Sequence, residues 1–145
     1  MIGYWKNPEA TKECMNDEGW FRTGDLGKFE GPFLYILDRV KDIVIRGGEN
    51  IACPEVEGAI YEHDDILEAC VFGIPDERLG EVLCAAIYLR EKSTLTIDEL
   101  QSFLSTRLAS FKIPVIIKFY EDNLPRVGSG KFDKPSLRKQ FIENM

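Results

Sequence analysis

Two long apolar runs, Ile66 to Ile74 and Val82 to Leu89, constrain this chain more than anything else in it, because only Pro75-Asp76-Glu77-Arg78-Leu79-Gly80 separates them. Both are rich in Val, Ile and Cys, residues that suit central strands, and the turn-forming residues between them return the chain beside itself. A further run, Val115 to Tyr120, alternates after Pro114 as an edge strand would. Helical signals surround these strands. Pro54 fits the first position of a helix, with Glu55 and Glu57 in its first turn and Val56, Ala59 and Ile60 as its apolar face. Thr96-Ile97-Asp98-Glu99 has the form of a capping box, followed by Ile97, Leu100, Leu104 and Leu108 at helical spacing. A last helix is predicted from about Lys134 to Ile142, with Pro135 near its start.

The spacing therefore predicts a small α+β domain whose central sheet is mainly antiparallel and three-stranded, packed by helices. A short two-stranded hairpin precedes it: Asp42 to Ile45, a break at Gly47-Gly48, and Glu49-Asn50-Ile51. Upstream, Met1 to about Leu37 reads as a polar leader to two extended pieces, Trp20-Phe21-Arg22 and Phe33 to Leu37, the second after a Glu30-Gly31-Pro32 turn. A chain of 145 residues folded as one principal domain buries about two-thirds of its unfolded surface, enough for a core.

Charge narrows the partners. A net charge of −7, from 25 acidic against 18 basic residues, argues against nucleic acid or an anionic membrane, which reward clustered Lys and Arg. The four cysteines, Cys14, Cys53, Cys70 and Cys84, lie too far apart for a C-x-x-C pair and form no metal-spaced cluster with His63. No metal ligand set is expected, and no apolar run approaches the roughly 20 residues of a membrane span. With no signal-peptide layout at the start, the expectation is a cytoplasmic protein with reduced thiols.

The stretch Leu124-Pro125-Arg126-Val127-Gly128-Ser129-Gly130-Lys131 is the main candidate for chemistry. Its glycines permit positive φ and close approach to a ligand, and Lys131 offers a mobile cation for phosphate or carboxylate oxygens. It is not a phosphate-cradling P-loop, because Pro125 stands where the first glycine belongs and Phe132 replaces the Ser or Thr that would hold Mg²⁺. Read alone, it also fits a solvated lysine on a flexible turn.

Three separated segments resemble one superfamily, the adenylate-forming acyl-CoA synthetases. Leu124-Pro125-Arg126 through Gly130-Lys131 is similar to its last signature motif, and Phe21-Arg22-Thr23-Gly24-Asp25-Leu26-Gly27 to its Thr-Gly-Asp motif. Asp38-Arg39-Val40-Lys41-Asp42, Arg46-Gly47-Gly48-Glu49-Asn50-Ile51 and Pro54-Glu55-Val56-Glu57 resemble its hinge region. The similarity runs from about Gly3 to the end, and the Gly-Gly-Glu-Asn-Ile wording looks closest to long-chain fatty-acid members.

The resemblance implies a C-terminal part of an ATP-dependent fatty-acid–CoA ligase. Residues 1–37 would be the tail of the large AMP-binding domain and 38–145 the mobile C-terminal domain, with the rest of the large domain as its partner. ATP with Mg²⁺, fatty acid and coenzyme A would be the reactants, the magnesium held mainly by the large domain, and AMP and pyrophosphate the products. It assigns Lys131 to catalysis, Asp25 and Arg39 to the nucleotide, and Asp38 to the hinge. Gly48, with Gly47 and Arg46, falls to the coenzyme A step. Without it, Asp25 is also a turn residue beside a glycine, Arg39 half of a surface ion pair, and Gly48 a strand terminator. His63, following a helix end, reads as structural. Acid-activating relatives that load aryl or amino acids onto a thiol, and a stand-alone binding module, are the alternatives. Cut from the large domain, the chain is expected to fold from about Asp38 onward and to catalyse nothing.

Overall fold

Strands that are apolar on both faces must be covered on both faces, and this requirement organises the computed structural model, which describes residues 1–144. The chain divides into two compact units, Met1–Lys41 and Asp42–Met145.

In the second unit the two apolar runs form β5 (Ile66–Asp76) and β6 (Gly80–Leu89), antiparallel along their length from Asp76 opposite Gly80 to Ile66 opposite Leu89. The other edge of β6 is shared. At Gly80 it meets β3 (Val44–Arg46), which pairs in turn with β4 (Glu49–Ile51), and from Cys84 to Tyr88 it runs parallel to β7 (Ile116–Tyr120). The outcome is a five-stranded mixed sheet, with the expected short hairpin built into its edge.

Successive side chains of β5 and β6 point to opposite faces and fill two cores. Val71, Leu83, Ala85 and Ile87 pack with α2 (Cys53–Tyr61) and α3 (Ile97–Ser105), through Val56, Ile60, Leu100 and Leu104. Phe72, Ile74, Val82, Cys84 and Ala86 pack with α4 (Lys134–Glu143) through Leu137 and Phe141. The Phe72 and Phe141 rings meet edge to face, with centroids 5.0 Å apart. Helices on both sides explain why neither strand alternates with polar residues.

The capping box forms as expected, with the Thr96 hydroxyl accepting from Glu99 N and the Glu99 carboxylate from Thr96 N. The Thr96 N–H and then the Thr96 hydroxyl, both donating to the Glu99 carboxylate, hold that carboxyl below its ordinary pKa. Helix α3 stops at Ser105, so Leu108 packs from a following turn, and Ile97 is largely exposed rather than buried. The strand expected from Asp42 begins at Val44, because Val40–Asp42 is a 3-10 turn.

The first unit departs further from expectation. Trp20-Phe21-Arg22 is not a strand; only an isolated bridge joins Phe21 to Met15. The partner of β2 (Phe33–Arg39) is instead β1 (Asp25–Glu30), paired from Glu30 opposite Phe33 to Asp25 opposite Arg39. A short helix, α1 (Pro8–Cys14), is capped by Asn7, whose side chain accepts from Ala10 N. It buries none of its residues and so leaves no apolar stripe to read. Among the described residues no helix is long and apolar enough to cross a membrane.

None of the four cysteines forms a disulfide among the described residues; Cys14 is half-buried and Cys53, Cys70 and Cys84 are buried. Burial pushes the Cys70 and Cys84 thiols up from 9.0 to about 12. Their folded pKa exceeds the unfolded one, so their contribution to stability is full below about pH 9 and is lost as pH climbs toward 12. With an aromatic disulfide reagent at pH 8, Cys14 is expected to react before the others, and the three buried thiols only on unfolding. Rapid labelling of Cys70 in the native chain would contradict the packing of that core.

Candidate functional site

The residues singled out from the sequence fall into three groups. Lys131 lies on a tight hairpin-like turn. Arg126 and Phe132 bridge antiparallel, Val127 N donates to Lys131 O at 2.9 Å, and Gly130 N donates to Val127 O at 2.8 Å. Gly130 sits at φ +83°, a left-handed conformation that a side chain would strain. Below the turn, Asp133 N donates to Pro125 O at 2.8 Å, and the Asp133 carboxylate caps α4 through Ser136 N and Ser136 Oγ. The Ser136 hydroxyl and amide hold the Asp133 carboxyl below its usual range.

Two lysines flank this cap, and the fold treats them differently. Lys134 is half-buried and pairs with Glu57 at 3.6 Å. Burial opposes its charge, but the acidic groups of Cys53, Glu57, Cys70 and Asp42 outweigh that and raise its pKa. Lys131 is exposed, and its ammonium makes no ion pair among the described residues. A lysine tied into the core is a strut, whereas an exposed one at the end of an ordered turn is free to meet an anion.

What fastens the turn was not among the residues singled out from the sequence. Glu68, near the start of β5, accepts from Arg126 Nη2 at 2.7 Å and from Leu124 N at 2.8 Å. Arg126 also donates Nη1 to Gly130 O at 2.7 Å and lies 4.2 Å from the Phe132 ring centroid. The one available signal was an acid inside an otherwise apolar run.

Gly47 and Gly48 form the two-residue loop of the β3–β4 hairpin, at φ +58° and +91°. Positive φ at both loop positions is what the tightest hairpins demand, so the turn itself calls for these glycines. A Cβ on Gly48 would meet nothing within 4 Å, so that side of the loop is open. Arg46 turns inward: Nη1 donates to Phe111 O at 2.8 Å, and Nε is buried without a hydrogen-bond partner among the described residues.

These two turns stand at opposite ends of one ladder. The glycine hairpin joins β6 through Arg46 opposite Gly80, while the Lys131 turn is fastened at Glu68, which lies opposite Tyr88. About eight residues of β6 separate the attachments, roughly 26 Å of extended chain.

In the first unit, pairing of β1 with β2 brings the two nucleotide candidates together. Asp25 and Arg39 are directly opposite, with Arg39 Nε 3.4 Å from Asp25 Oδ1, and both side chains remain partly exposed. Thr23 Oγ1 accepts from Asp25 N, and Val40 N donates to Gly24 O, closing the corner. Asp38 adjoins this pair, its Oδ1 accepting from Arg39 N at 2.7 Å. An acid and a guanidinium side by side are suited to vicinal hydroxyls and phosphate oxygens respectively.

His63 packs edge-on against Phe103 at 4.8 Å, and its Nδ1 accepts from Asp65 N. Among the described residues no three His, Cys, Asp or Glu side chains converge as a metal site.

Comparison with known proteins bears on this arrangement. Residues 55–131 match the family described as AMP-binding enzyme C-terminal domain. The chain is 43% identical over 142 residues to a feruloyl-CoA synthase of Amycolatopsis, covering 97% of this chain and 28% of that protein. It is 40% identical to a mitochondrial medium-chain acyl-CoA ligase of Danio rerio, covering 97% of this chain and 23% of the relative. Among solved structures it is similar to ATP-bound MatB of Rhodopseudomonas palustris, with a TM-score of 0.88 at 37% identity over 96% of this chain and 28% of that one. The chain thus spans about a quarter of the length of the relatives it matches, and those relatives act on acids of more than one class.

Proposed function

Because the chain belongs to the AMP-binding enzyme C-terminal domain family of adenylate-forming acyl-CoA ligases, we propose that it is the end of a larger acid–CoA ligase and serves both half-reactions of that enzyme. In the first, a carboxylate oxygen attacks the α-phosphorus of ATP, the bond to pyrophosphate breaks, and acyl-adenylate remains. In the second, the coenzyme A thiol attacks the acyl carbon, the thiol proton is lost, and AMP leaves to give the thioester.

Lys131 is the group proposed for the first step. Its ammonium would sit against carboxylate and α-phosphate oxygens as charge redistributes, which is electrostatic stabilisation rather than proton transfer. Asp25 would accept from the ribose hydroxyls, with Arg39 beside it for ribose or phosphate. Gly48 and Gly47 would leave passage for the pantetheine arm in the second step, with Asp38 as the hinge between the two arrangements, whereas Arg46, its guanidinium turned inward onto Phe111 O, is not offered to the coenzyme phosphates. Magnesium, which neutralises phosphate charge in such reactions, would be held mainly by the large domain.

The observation that carries this reading is the placement of the Lys131 and Gly48 turns at opposite ends of the β5–β6 ladder, which lets one rigid sheet offer two different working faces. Residues 1–37, whose β1–β2 ribbon leaves Phe29, Phe33, Leu34 and Ile36 exposed, read as the tail of the large domain, and residues 38–145 as the mobile domain.

A fatty acid is the proposed substrate, on the Gly47-to-Ile51 wording; an aryl acid is the second reading, favoured by the likeness to feruloyl-CoA synthase. The test joins this chain to its large domain and follows exchange of labelled pyrophosphate into ATP with a panel of long-chain, medium-chain and aryl acids. One class is expected to support exchange and to yield a thioester when coenzyme A is added, while the chain alone yields none. Exchange with no acid, or thioester from the chain alone, would contradict the proposal.

A further inference from the structure

We infer that Glu68 is a positioning residue for Lys131, acting through Arg126, and that this pair holds the Lys131 turn in the shape needed for acyl-adenylate formation. The inference rests on the adenylation role proposed above for Lys131. Its geometry stands independently of that role.

The Glu68 carboxylate divides its oxygens between two jobs, Oε1 taking Arg126 Nη2 at 2.7 Å and Oε2 taking Leu124 N at 2.8 Å. Arg126 in turn reaches the far side of the turn, at Gly130 O, and covers the Phe132 ring. One guanidinium therefore ties β5, through Glu68, to the residue just before Lys131 and the residue just after it. The acid end is anchored in the sheet, with a side-chain exposure of 15% against 42% for Arg126.

An exposed ion pair on its own contributes little to stability. These groups matter instead because they order a glycine-containing turn whose backbone otherwise has unusual freedom. A cation already held where charge develops needs no reorganisation during the reaction, and small misplacements of such a group are costly. Pairing with Glu68 also commits Arg126, leaving Lys131 as the turn's uncommitted cation.

Glu68→Gln keeps an acceptor for Leu124 N and removes the ion pair; Arg126→Gln removes it from the exposed side, where folding is least at risk. Amide hydrogen exchange at Val127 and Gly130 in this chain is expected to quicken in both variants while Ala85 and Ile87 in the core are unchanged. In the protein joined to its large domain, acid-dependent pyrophosphate exchange is expected to fall about tenfold in each, with no further loss in the double variant. Thioester formation from supplied acyl-adenylate should stay near the parent rate, which a general loss of structure would not allow.

Unchanged turn exchange in both variants, or equal losses in both half-reactions, would overturn the positioning role. If Lys131→Ala abolishes pyrophosphate exchange and neither Glu68→Gln nor Arg126→Gln lowers it, the positioning role alone fails. If Lys131→Ala has no effect on that exchange, the functional reading fails and takes this inference with it.

Discussion

Lys131→Ala in the protein joined to its large domain is expected to lower acid-dependent pyrophosphate exchange by about a hundredfold or more, equivalent to about 3 to 4 kcal/mol of transition-state stabilisation. The size follows from the kind of contact. A preorganised cation facing oxygens whose charge changes during the reaction acts where water is excluded, and its removal leaves that charge uncompensated. The cost to folding should be small, because the Lys131 side chain is exposed and engages no partner among the described residues. Thermal unfolding of the variant is therefore expected to match the parent, so that the lost rate reports chemistry. An exchange rate within a few-fold of the parent would reduce Lys131 to a turn residue.

Phe72→Ala is expected to destabilise the second unit by about 3 to 5 kcal/mol, a large share of the roughly 5 to 15 kcal/mol that holds a typical domain together. Phe72 is fully buried, and its ring meets Phe141 of α4 edge to face. Removing it opens a cavity between the sheet and the helix whose capping residue, Asp133, also closes the base of the Lys131 turn. Urea unfolding followed by far-ultraviolet circular dichroism is the suitable measurement, because both tryptophans, Trp5 and Trp20, lie in the first unit. The midpoint should fall with little change in slope. A loss under about 1 kcal/mol would mean that α4 is not seated on this face as described.

The core of the fold was legible because its signals are local. Two apolar runs, a proline at the start of a helix and a Thr-x-x-Glu capping box each state their structure within a few residues, and β5, β6, α2 and α3 follow. Strand pairing between distant segments is written less plainly. Parallel placement of β7 beside β6 depends on what α3 and the following 3-10 turn do to the path of the chain. In the first unit β1 carries Gly27 and Lys28 in an exposed ribbon, so neither apolar alternation nor β-branched residues mark it.

The candidate site divides in the same way. Lys131, Gly48, Asp25 and Arg39 could be picked out by motif, and the facing of Asp25 and Arg39 across β1 and β2 came only with the register. Glu68 showed only as an acid inside an apolar run, because the part proposed for it depends on a contact spanning 58 positions of sequence. The inward turn of Arg46 onto Phe111 was hidden for the same reason.

If one small domain works through two separate faces, the loss in Lys131→Ala is confined to one half-reaction. The variant is given preformed acyl-adenylate and coenzyme A, and thioester is followed beside pyrophosphate exchange on the same preparation. Thioester formation near the parent rate is expected while exchange is lost. Parallel loss of both half-reactions, or loss of neither, would rule out two separate working faces.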